Sequence, residues 1–254
     1  MNESFVSLDR ETVLQVLPRH LAGRGSHQLL DVWPFPFDQG WSLQHPDEGY
    51  QLAASPCQRI RAGFLAVPNS RSGGTWTTAL HGDPFSPARW KAVFDATTPT
   101  EVLRDFHSEL LARYLEAPDG DRHRHTSEAE PHHAYVPLLS AGWRQKINRN
   151  GRQAIRSPDG LAYLQNWFHD PPEWTVCAGH PNRPLWTSTF SAQTPPRLIA
   201  AFTASLVDQE PLTRTVRQLP TATREYLYRT RPPAPSRPTR PPAAPETHAT
   251  GRPG

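Results

Sequence analysis

Two stretches of the chain have several identical residues in the same order: WKAVFDATTPTEVLRDFHSEL at residues 90–110 and WTSTFSAQTPPRLIAAFTASL at residues 186–206. The tryptophan, the phenylalanine four residues later and the Thr-Pro pair recur at a constant spacing of 96 residues. Aromatic side chains four residues apart lie on the same face of a strand, because side chains alternate along it. Apolar residues at helical spacing follow each Thr-Pro pair. Each stretch therefore predicts a strand followed by a helix.

The correspondence continues toward the N-terminus of both stretches. Three more matches recur at spacings of 98 or 102 residues: Trp76 with Trp174, Ser55-Pro56 with Ser157-Pro158, and Gly40-Trp41 with Gly142-Trp143. The spacing changes only between blocks, which indicates deletions in loops while the elements keep their lengths. We therefore expect a tandem duplication whose two copies superimpose.

Each copy opens with a predicted β-hairpin. In the second copy the loop Arg149-Asn150-Gly151 places glycine third, the position that needs a positive φ in a three-residue hairpin loop. The implied register pairs residue 144 with 156 and 146 with 154. It turns Trp143, Ile147 and Ile155 toward the core, while the basic side chains share the other face with Asn148. The first-copy loop, residues 47–49, also ends in glycine and predicts the same register.

Further strands and a capped helix complete the predicted unit. Thr98 is expected as N-cap, Pro99 as the first helical residue and Glu101 as the partner that closes a capping box, and Thr194-Pro195 repeat the cap. The predicted fold class is α+β: two pseudo-symmetric antiparallel sheet-plus-helix repeats of four or five strands then a helix, with a disordered C-terminal tail. The expected parts are a lead-in segment (1–39), the first repeat (40–116), a linker (117–135), the second repeat (136–208), a C-terminal segment with a final helix (209–230) and the tail (231–254).

Composition limits the possible classes of protein. Only 36% of the 254 residues are hydrophobic, and many of the 29 prolines lie after residue 230, which predicts the disordered tail. The tail's four arginines and single glutamate also account for the net charge of +3, so the rest of the chain is neutral. The apolar runs are too short for a membrane helix, the N-terminus lacks the features of a signal peptide, and two cysteines form no disulfide framework. We expect a cytoplasmic protein with no membrane partner.

Several of these landmarks resemble a known family. They are Ser157-Pro158-Asp159, Trp174, Pro184, Trp186, Phe190, Thr194-Pro195 and Phe202. Together they resemble the SPDY-motif domain, a bacterial domain of unknown function that usually occurs in two tandem copies. Residues 18–23 resemble the segment that typically precedes its first copy. The first copy departs from the motif at Cys57, where the family has aspartate. The resemblance implies an architecture and a bacterial host, but no mechanism.

The second hairpin carries the clearest candidate site. Between residues 144 and 156 the chain has five basic residues and no acid: Arg144, Lys146, Arg149, Arg152 and Arg156. A positively charged ribbon can hold a phosphate backbone, and nearby aromatic rings can stack on bases. Charged side chains on a sheet edge can equally serve only to prevent aggregation. We take nucleic acid, single-stranded or backbone-directed, as the partner that this pattern favours.

Other reactive residues give weaker patterns. His123, His125, His132 and His133 lie in an acidic loop that offers no rigid scaffold for a metal. Cys57 with His81, and Cys177 with His180, suggest a nucleophile and base, but a small buried residue within a strand is the ordinary explanation of Cys177. The recurring tryptophans are expected in the core, or as a ligand platform if exposed. We expect noncatalytic binding without metal or cofactor. The alternatives are a protein–protein adaptor using a sheet edge or apolar patch, and an uncharacterised hydrolase with a cleft between the repeats.

Overall fold

The computed structural model describes residues 8–26, 28–116, 130–147, 153–167 and 173–230. Its strands are β1 (Val13–Leu17), β2 (Ser42–Asp47), β3 (Tyr50–Ala54), β4 (Ile60–Ala66), β5 (Gly74–His81), β6 (Ala88–Asp95), β7 (Arg144–Ile147), β8 (Gln153–Arg156), β9 (Ala162–Trp167), β10 (Glu173–His180), β11 (Arg183–Ser191), β12 (Leu212–Thr215) and β13 (Tyr228–Thr230). Its helices are α1 (Leu29–Val32), α2 (Thr100–Glu116), α3 (Val136–Ser140) and α4 (Pro196–Val207). Within the described ranges, no helix has the length and apolar character needed to cross a membrane.

Ten strands form one antiparallel sheet in the order β2-β3-β4-β5-β6-β11-β10-β9-β8-β7. The first repeat supplies one half and the second repeat supplies the other half in mirrored order, so β6 and β11 meet at the centre. The helices α2 and α4 pack on one face, where they share a single hydrophobic core with the inward-facing strand residues. The predicted fold class, α+β with two pseudo-symmetric sheet-and-helix repeats, is confirmed.

A pseudo-twofold axis passes through the central ladder. Val93 pairs with Thr189, the residue that corresponds to it 96 positions later, and the neighbouring pairs are related by the same exchange. Beneath the ladder lie two phenylalanines from the strands, Phe94 and Phe190, and two from the helices, Phe106 and Phe202. All four are fully buried, and their ring centroids are 5.1 to 5.9 Å apart in five contacts. The two repeats therefore meet as the subunits of a symmetric dimer do, within one chain.

Two side chains extend the short central ladder, one from each repeat. The Asp95 carboxylate accepts a hydrogen bond of 2.8 Å from the Thr187 backbone N–H. Ser191, at the position equivalent to Asp95, accepts a bond of 3.0 Å from the Lys91 N–H at the other end. These backbone donors are thus satisfied where strand pairing stops, as buried backbone groups require.

Symmetry also covers local details that the sequence comparison had missed. Both repeats have a bulge at the same place, between Leu80 and His81 and between Ala178 and Gly179. The helix α1 corresponds to a 3₁₀ turn at Pro131–Ala134, since the two lie 102 residues apart. The repeated unit therefore includes a helical turn before its first strand.

The hairpin predictions are largely correct. In the second repeat, Arg144 pairs with Arg156 and Lys146 with Ala154, which confirms the expected register. In the first repeat, Ser42 pairs with Ala54 as expected, but a bulge after Gln44 brings Asp47 opposite Tyr50. The expected three-residue loop is therefore wrong there, because the bulge shortens the turn.

Ile147 also departs from its predicted position in the core. Trp143 and Ile155 are buried, but the side chain of Ile147 is 66% exposed. Ile147 lies at the end of the edge strand β7, where it has a neighbouring strand on one side only. The inward alternation is correct, but the core does not extend this far.

The C-terminal segment forms a second sheet instead of the expected helix. β12 and β13 flank β1 in a three-stranded antiparallel sheet. One short 3₁₀ turn follows β12 and another precedes β13. Leu212, Val216 and Leu219 cover Leu14 and Val16 in a small separate core. Pro211 and Pro220 interrupt the segment, and the apolar residues between them meet a strand that lies far away in sequence. The predicted tail, 231–254, lies outside the described residues.

The predicted helix caps are wrong. The Thr98 hydroxyl has no hydrogen-bond partner among the described residues, and α4 begins without a side-chain cap. Glu101 instead forms a two-point ion pair with Arg214, at 2.6 and 2.7 Å. Arg214 is only 3% exposed, and its buried charge needs a carboxylate partner. Because Glu101 supplies that partner, its carboxylate does not close a capping box.

The phenylalanine cluster at the axis predicts a large stability effect. Replacing Phe94 with alanine should lower the free energy of unfolding by about 3–5 kcal/mol, because it leaves a cavity between the two repeats. Urea denaturation followed by tryptophan fluorescence measures this change. The control is Phe85→Ala, whose side chain is 97% exposed and whose loss should change stability by less than about 0.5 kcal/mol. Equal stability of the two variants would contradict a shared core.

Candidate nucleic-acid interface

The basic hairpin, β7 with β8, forms one edge of the ten-stranded sheet. Arg144 and Arg156 are directly opposite each other and exposed, and Lys146 follows two residues later on the same side of β7. None of the three forms an ion pair with another described residue. The predicted Arg149 and Arg152 lie outside the described residues. The structure therefore brings three of the five predicted basic residues together on one exposed surface.

The first repeat provides an internal comparison for this charge. The positions equivalent to Arg144, Lys146 and Arg156 are Ser42, Gln44 and Ala54. Both hairpins keep the same pairing at these positions, so the fold does not require basic residues there. Positive charge is thus a property of the second hairpin alone.

The basic side chains point to the face that α2 and α4 leave uncovered, which we call the open face. Its centre consists of partly buried threonines on β5, β10 and β11: Thr75, Thr77, Thr175, Thr187 and Thr189. These residues alternate with the buried aromatic and apolar residues of the core face. The centre of the open face therefore consists mainly of hydroxyl side chains, and adjacent basic side chains lie at its β7–β8 edge.

Beside the hairpin, the open face continues with Tyr163 and Cys177. Tyr163 pairs with Arg156 on one side and with Cys177 on the other. Burial raises the pKa of the Tyr163 hydroxyl to about 12, a hydrogen bond with Cys177 acts in the same direction, and the charge of Arg156 opposes it. The phenol consequently remains neutral and adds no negative charge beside the basic residues.

Asp95 is a partly buried acid near the centre of the open face. Burial raises the pKa of its carboxyl group, although the Thr187 N–H and the charge of Arg71 favour the ionised form. Its structural role at the end of the central ladder thus carries an electrostatic cost at neutral pH.

The Ser157-Pro158-Asp159 motif forms a turn that also binds a distant segment. The Asp159 carboxylate accepts hydrogen bonds from the Ser157 hydroxyl and from the Leu161 N–H at 2.9 Å. It also contacts His20, whose Nε2 lies 2.8 Å away, from the segment before the first repeat. Partial burial alone would raise the pKa of Asp159, but the bonds and charge of His20, with the other two donors, lower it to about 2. The motif acid therefore holds the lead-in segment against the second repeat.

The first copy keeps the same turn without the acid. The Ile60 N–H bonds to the Ser55 hydroxyl, as the Ala162 N–H does to Ser157. Burial alone would raise the pKa of the Cys57 thiol, but hydrogen bonds with Ser55, the Arg59 backbone and Tyr114, together with the charge of Arg59, lower it. The serine thus forms the turn in both copies. The third motif residue differs: Asp159 contacts His20 of the lead-in segment, whereas Cys57 interacts within the first repeat.

The other sequence-predicted groups are not assembled into a reactive site. The six recurring tryptophans are at most 6% exposed, so the prediction of core positions is confirmed and these rings offer no stacking platform. Cys177 is buried as a small residue, and His81 Nδ1 bonds to the Ser86 carbonyl. His132 and His133 stack on each other, while His123 and His125 lie outside the described residues. Nowhere in the described part of the chain do three potential metal ligands gather.

A shallow groove of about 460 Å³ lies on the helical side, between α2, α3 and α4. Its two carboxylates, Asp105 and Asp208, are already engaged: the Ser205 hydroxyl bonds to Asp105, and Arg19 pairs with Asp208 at 2.7 Å. The first contact joins α4 to α2, and the second holds the lead-in segment on the helices. The groove therefore presents ion pairs that stabilise the fold, with no nucleophile beside a free base among its lining residues.

Sequence reasoning missed the partners of Arg19, His20 and Arg214. All three are buried, and each bonds to a residue more than 80 positions away. The only available signal was that Arg19 and His20 belong to the segment noted before the first repeat. Their long-range partners could not be identified from spacing.

Comparison with known families agrees with this architecture. The model of the SPDY domain, a domain of unknown function (DUF317), matches residues 54–115 and 156–212. The chain thus carries two tandem SPDY domains. The matched regions begin at the two Ser-Pro turns and include both helices that meet at the pseudo-twofold axis. No curated protein and no solved structure matches the chain.

The carboxylate of Asp159 in the turn and that of Asp95 on the open face are expected to change the stability of the protein in opposite directions as the pH falls. The folded-state pKa of Asp159 is below its unfolded value, so its stabilising contribution is present above about pH 4 and is lost as the pH falls toward 2. Asp159→Asn should therefore lower stability by about 1–3 kcal/mol at neutral pH, and the difference should shrink in acid. Urea unfolding at several pH values measures it. A difference that is independent of pH would contradict the charged contact with His20.

Asp95→Asn should behave in the opposite way. The folded-state pKa of Asp95 is raised, so its ionisation destabilises the folded protein once the pH rises above the unfolded pKa. Asparagine can still accept the Thr187 N–H, and we expect a gain in stability within about 0.5 kcal/mol at neutral pH. The same urea series should show this gain disappearing in acid. A loss of stability at neutral pH would refute the assignment of an electrostatic cost to Asp95.

Proposed function

We propose that this protein binds nucleic acid without catalysis, through contacts between its basic hairpin and the phosphate backbone. The observation that carries the proposal is the exposed group Arg144, Lys146 and Arg156, on one surface and without acidic partners among the described residues. Arginine and lysine side chains in this arrangement neutralise phosphates and release counterions. The predicted Arg149 and Arg152 belong to the same proposed site by sequence.

The first repeat supports a functional reason for this charge. A purely protective role at the sheet edge would apply to β2 as well as β7, since both are edge strands. β2 carries Pro46 and a bulge, which limit edge pairing without positive charge. Basic residues are therefore not a general requirement of an edge strand in this fold, which leaves room for a second role of the charge in the second hairpin.

The burial of the repeat tryptophans favours recognition of the backbone over stacking of bases on those rings. Both edge strands oppose addition of a further strand, through Pro46 on one side and adjacent positive charges on the other, which weakens the adaptor alternative. The engaged carboxylates of the helical groove weaken the hydrolase alternative. We also propose a bacterial cytoplasmic setting, with which two free cysteines are compatible.

The proposal predicts loss of binding when the hairpin is made like its counterpart. Arg144→Ser with Lys146→Gln introduces the residues that the first repeat has at these positions, so we expect the fold to be kept. Affinity for a labelled 20-mer should fall at least tenfold at about 0.05 M salt, because two phosphate contacts are lost. Fluorescence anisotropy at several salt concentrations measures affinity and the salt slope, which should become about 1.4–1.8 less steep.

The matched control is Arg104→Gln with Arg197→Gln. These exposed arginines lie on α2 and α4, on the side away from the open face, and their replacement changes the net charge equally. Binding by the control should equal that of the unmodified protein. An equal loss of affinity in both variants would show that only the net charge matters, which would contradict a site at the hairpin. Absence of binding by the unmodified protein at low salt would refute the proposal.

A further inference from the structure

A path of paired residues, three of them polar, leads from the basic hairpin to the centre of the open face. Beginning at Lys146, the strand register passes through one residue of each successive strand: Ala154, Gln165, Thr175, Thr189 and Val93. Neighbouring strands are about 4.8 Å apart, so the five steps cover about 24 Å. Amide and hydroxyl side chains such as those of Gln165, Thr175 and Thr189 commonly hydrogen-bond to phosphate oxygens.

Lys91 lies at the far end of this path. It is exposed on β6, on the same face as Val93 and two residues from it. Lys91 and Lys146 are the two lysines of the chain, and both lie on the open face. Arg61 lies two strands beyond Lys91, and its guanidinium donates a hydrogen bond of 2.6 Å to the Pro84 carbonyl. Because this bond holds the Arg61 side chain within the protein, we place the end of the path at Lys91. Lys91 forms no ion pair with another described residue, so its charge is available to a ligand.

We infer that the bound phosphodiester backbone crosses the open face from the basic hairpin to Lys91, and that Lys91 is a further binding residue. This inference rests on the proposed function and adds the direction and extent of the bound ligand. A path of about 25 Å corresponds to about seven base pairs of duplex, at 3.4 Å for each pair. The ligand then contacts both repeats, because the pairing of β6 with β11 continues the open face from the second repeat into the first.

Glu173 provides a second, independent reporter of the path. It is an exposed acid on the open face and precedes Thr175 on β10 by two residues, a separation of about 7 Å. A backbone that passes over Thr175 comes within one Debye length of this carboxylate at about 0.1 M salt and is repelled by it. A ligand confined to the hairpin lies two or three strands from β10, a lateral distance of about 10–14 Å, and the Glu173 carboxylate repels it less.

The test compares three variants in the same anisotropy assay, with a 20-nucleotide single strand and a 20-base-pair duplex as probes. Lys91→Thr introduces the residue of the equivalent position, Thr187, and should weaken binding three- to tenfold. Lys91→Arg keeps the charge and should restore binding. Glu173→Gln should strengthen binding two- to threefold at about 0.05 M salt, and all differences should diminish at about 0.3 M salt. The two probes distinguish a single strand from a duplex as the source of the backbone.

The outcomes separate this inference from the proposed function. If Arg144→Ser with Lys146→Gln abolishes binding while Lys91→Thr and Glu173→Gln leave it unchanged, the hairpin binds alone and the crossing path is refuted. If the unmodified protein binds neither probe, the proposed function fails and this inference fails with it. Thermal melting of each variant verifies the fold, and loss of binding by a Lys91→Thr protein that melts normally supports the path.

Discussion

The contact between the two repeats at the pseudo-twofold axis is the constraint on which the rest of the structure depends. Val93 pairs with its own counterpart, Thr189, and Phe94, Phe106, Phe190 and Phe202 pack beneath them. Each repeat alone would expose the edge of β6 or β11 and one side of its helix. Joining them removes two open edges and buries the aromatic rings, so one continuous sheet is more stable than two separate ones.

The same symmetry explains why the open face is large and why its charge is uneven. Both helices must lie on the same side of the sheet, because the pseudo-twofold axis is perpendicular to the sheet at the Val93–Thr189 pair. Neither helix therefore covers the other side, which extends across ten strands. The duplicated positions are then free to diverge: Ser42 and Gln44 in one hairpin correspond to Arg144 and Lys146 in the other. A neutral body thus acquires a locally positive edge without any change of fold.

The terminal segments join this body through buried charged groups. Arg19 and His20 attach the lead-in segment to the helices and to the Asp159 turn, and Arg214 joins β12 to the start of α2. Such groups are costly to bury unless each has a well-placed partner. They therefore specify where the termini attach, and Arg19 engages the carboxylates that line the groove on the helical side.

From the sequence alone, internal repetition determined the strands, the α2 and α4 helices and the register of the basic hairpin, since side-chain periodicity is a local property. Spacing also identified Arg144, Lys146 and Arg156 as neighbours. The caps, the C-terminal strands and the partners of Arg19 and Glu101 were decided only by the tertiary structure, because they depend on residues far apart in the chain. Lys91 entered the proposed site for the same reason: the pairing of β6 with β11 places it on the face of the hairpin, and no local pattern encodes that pairing.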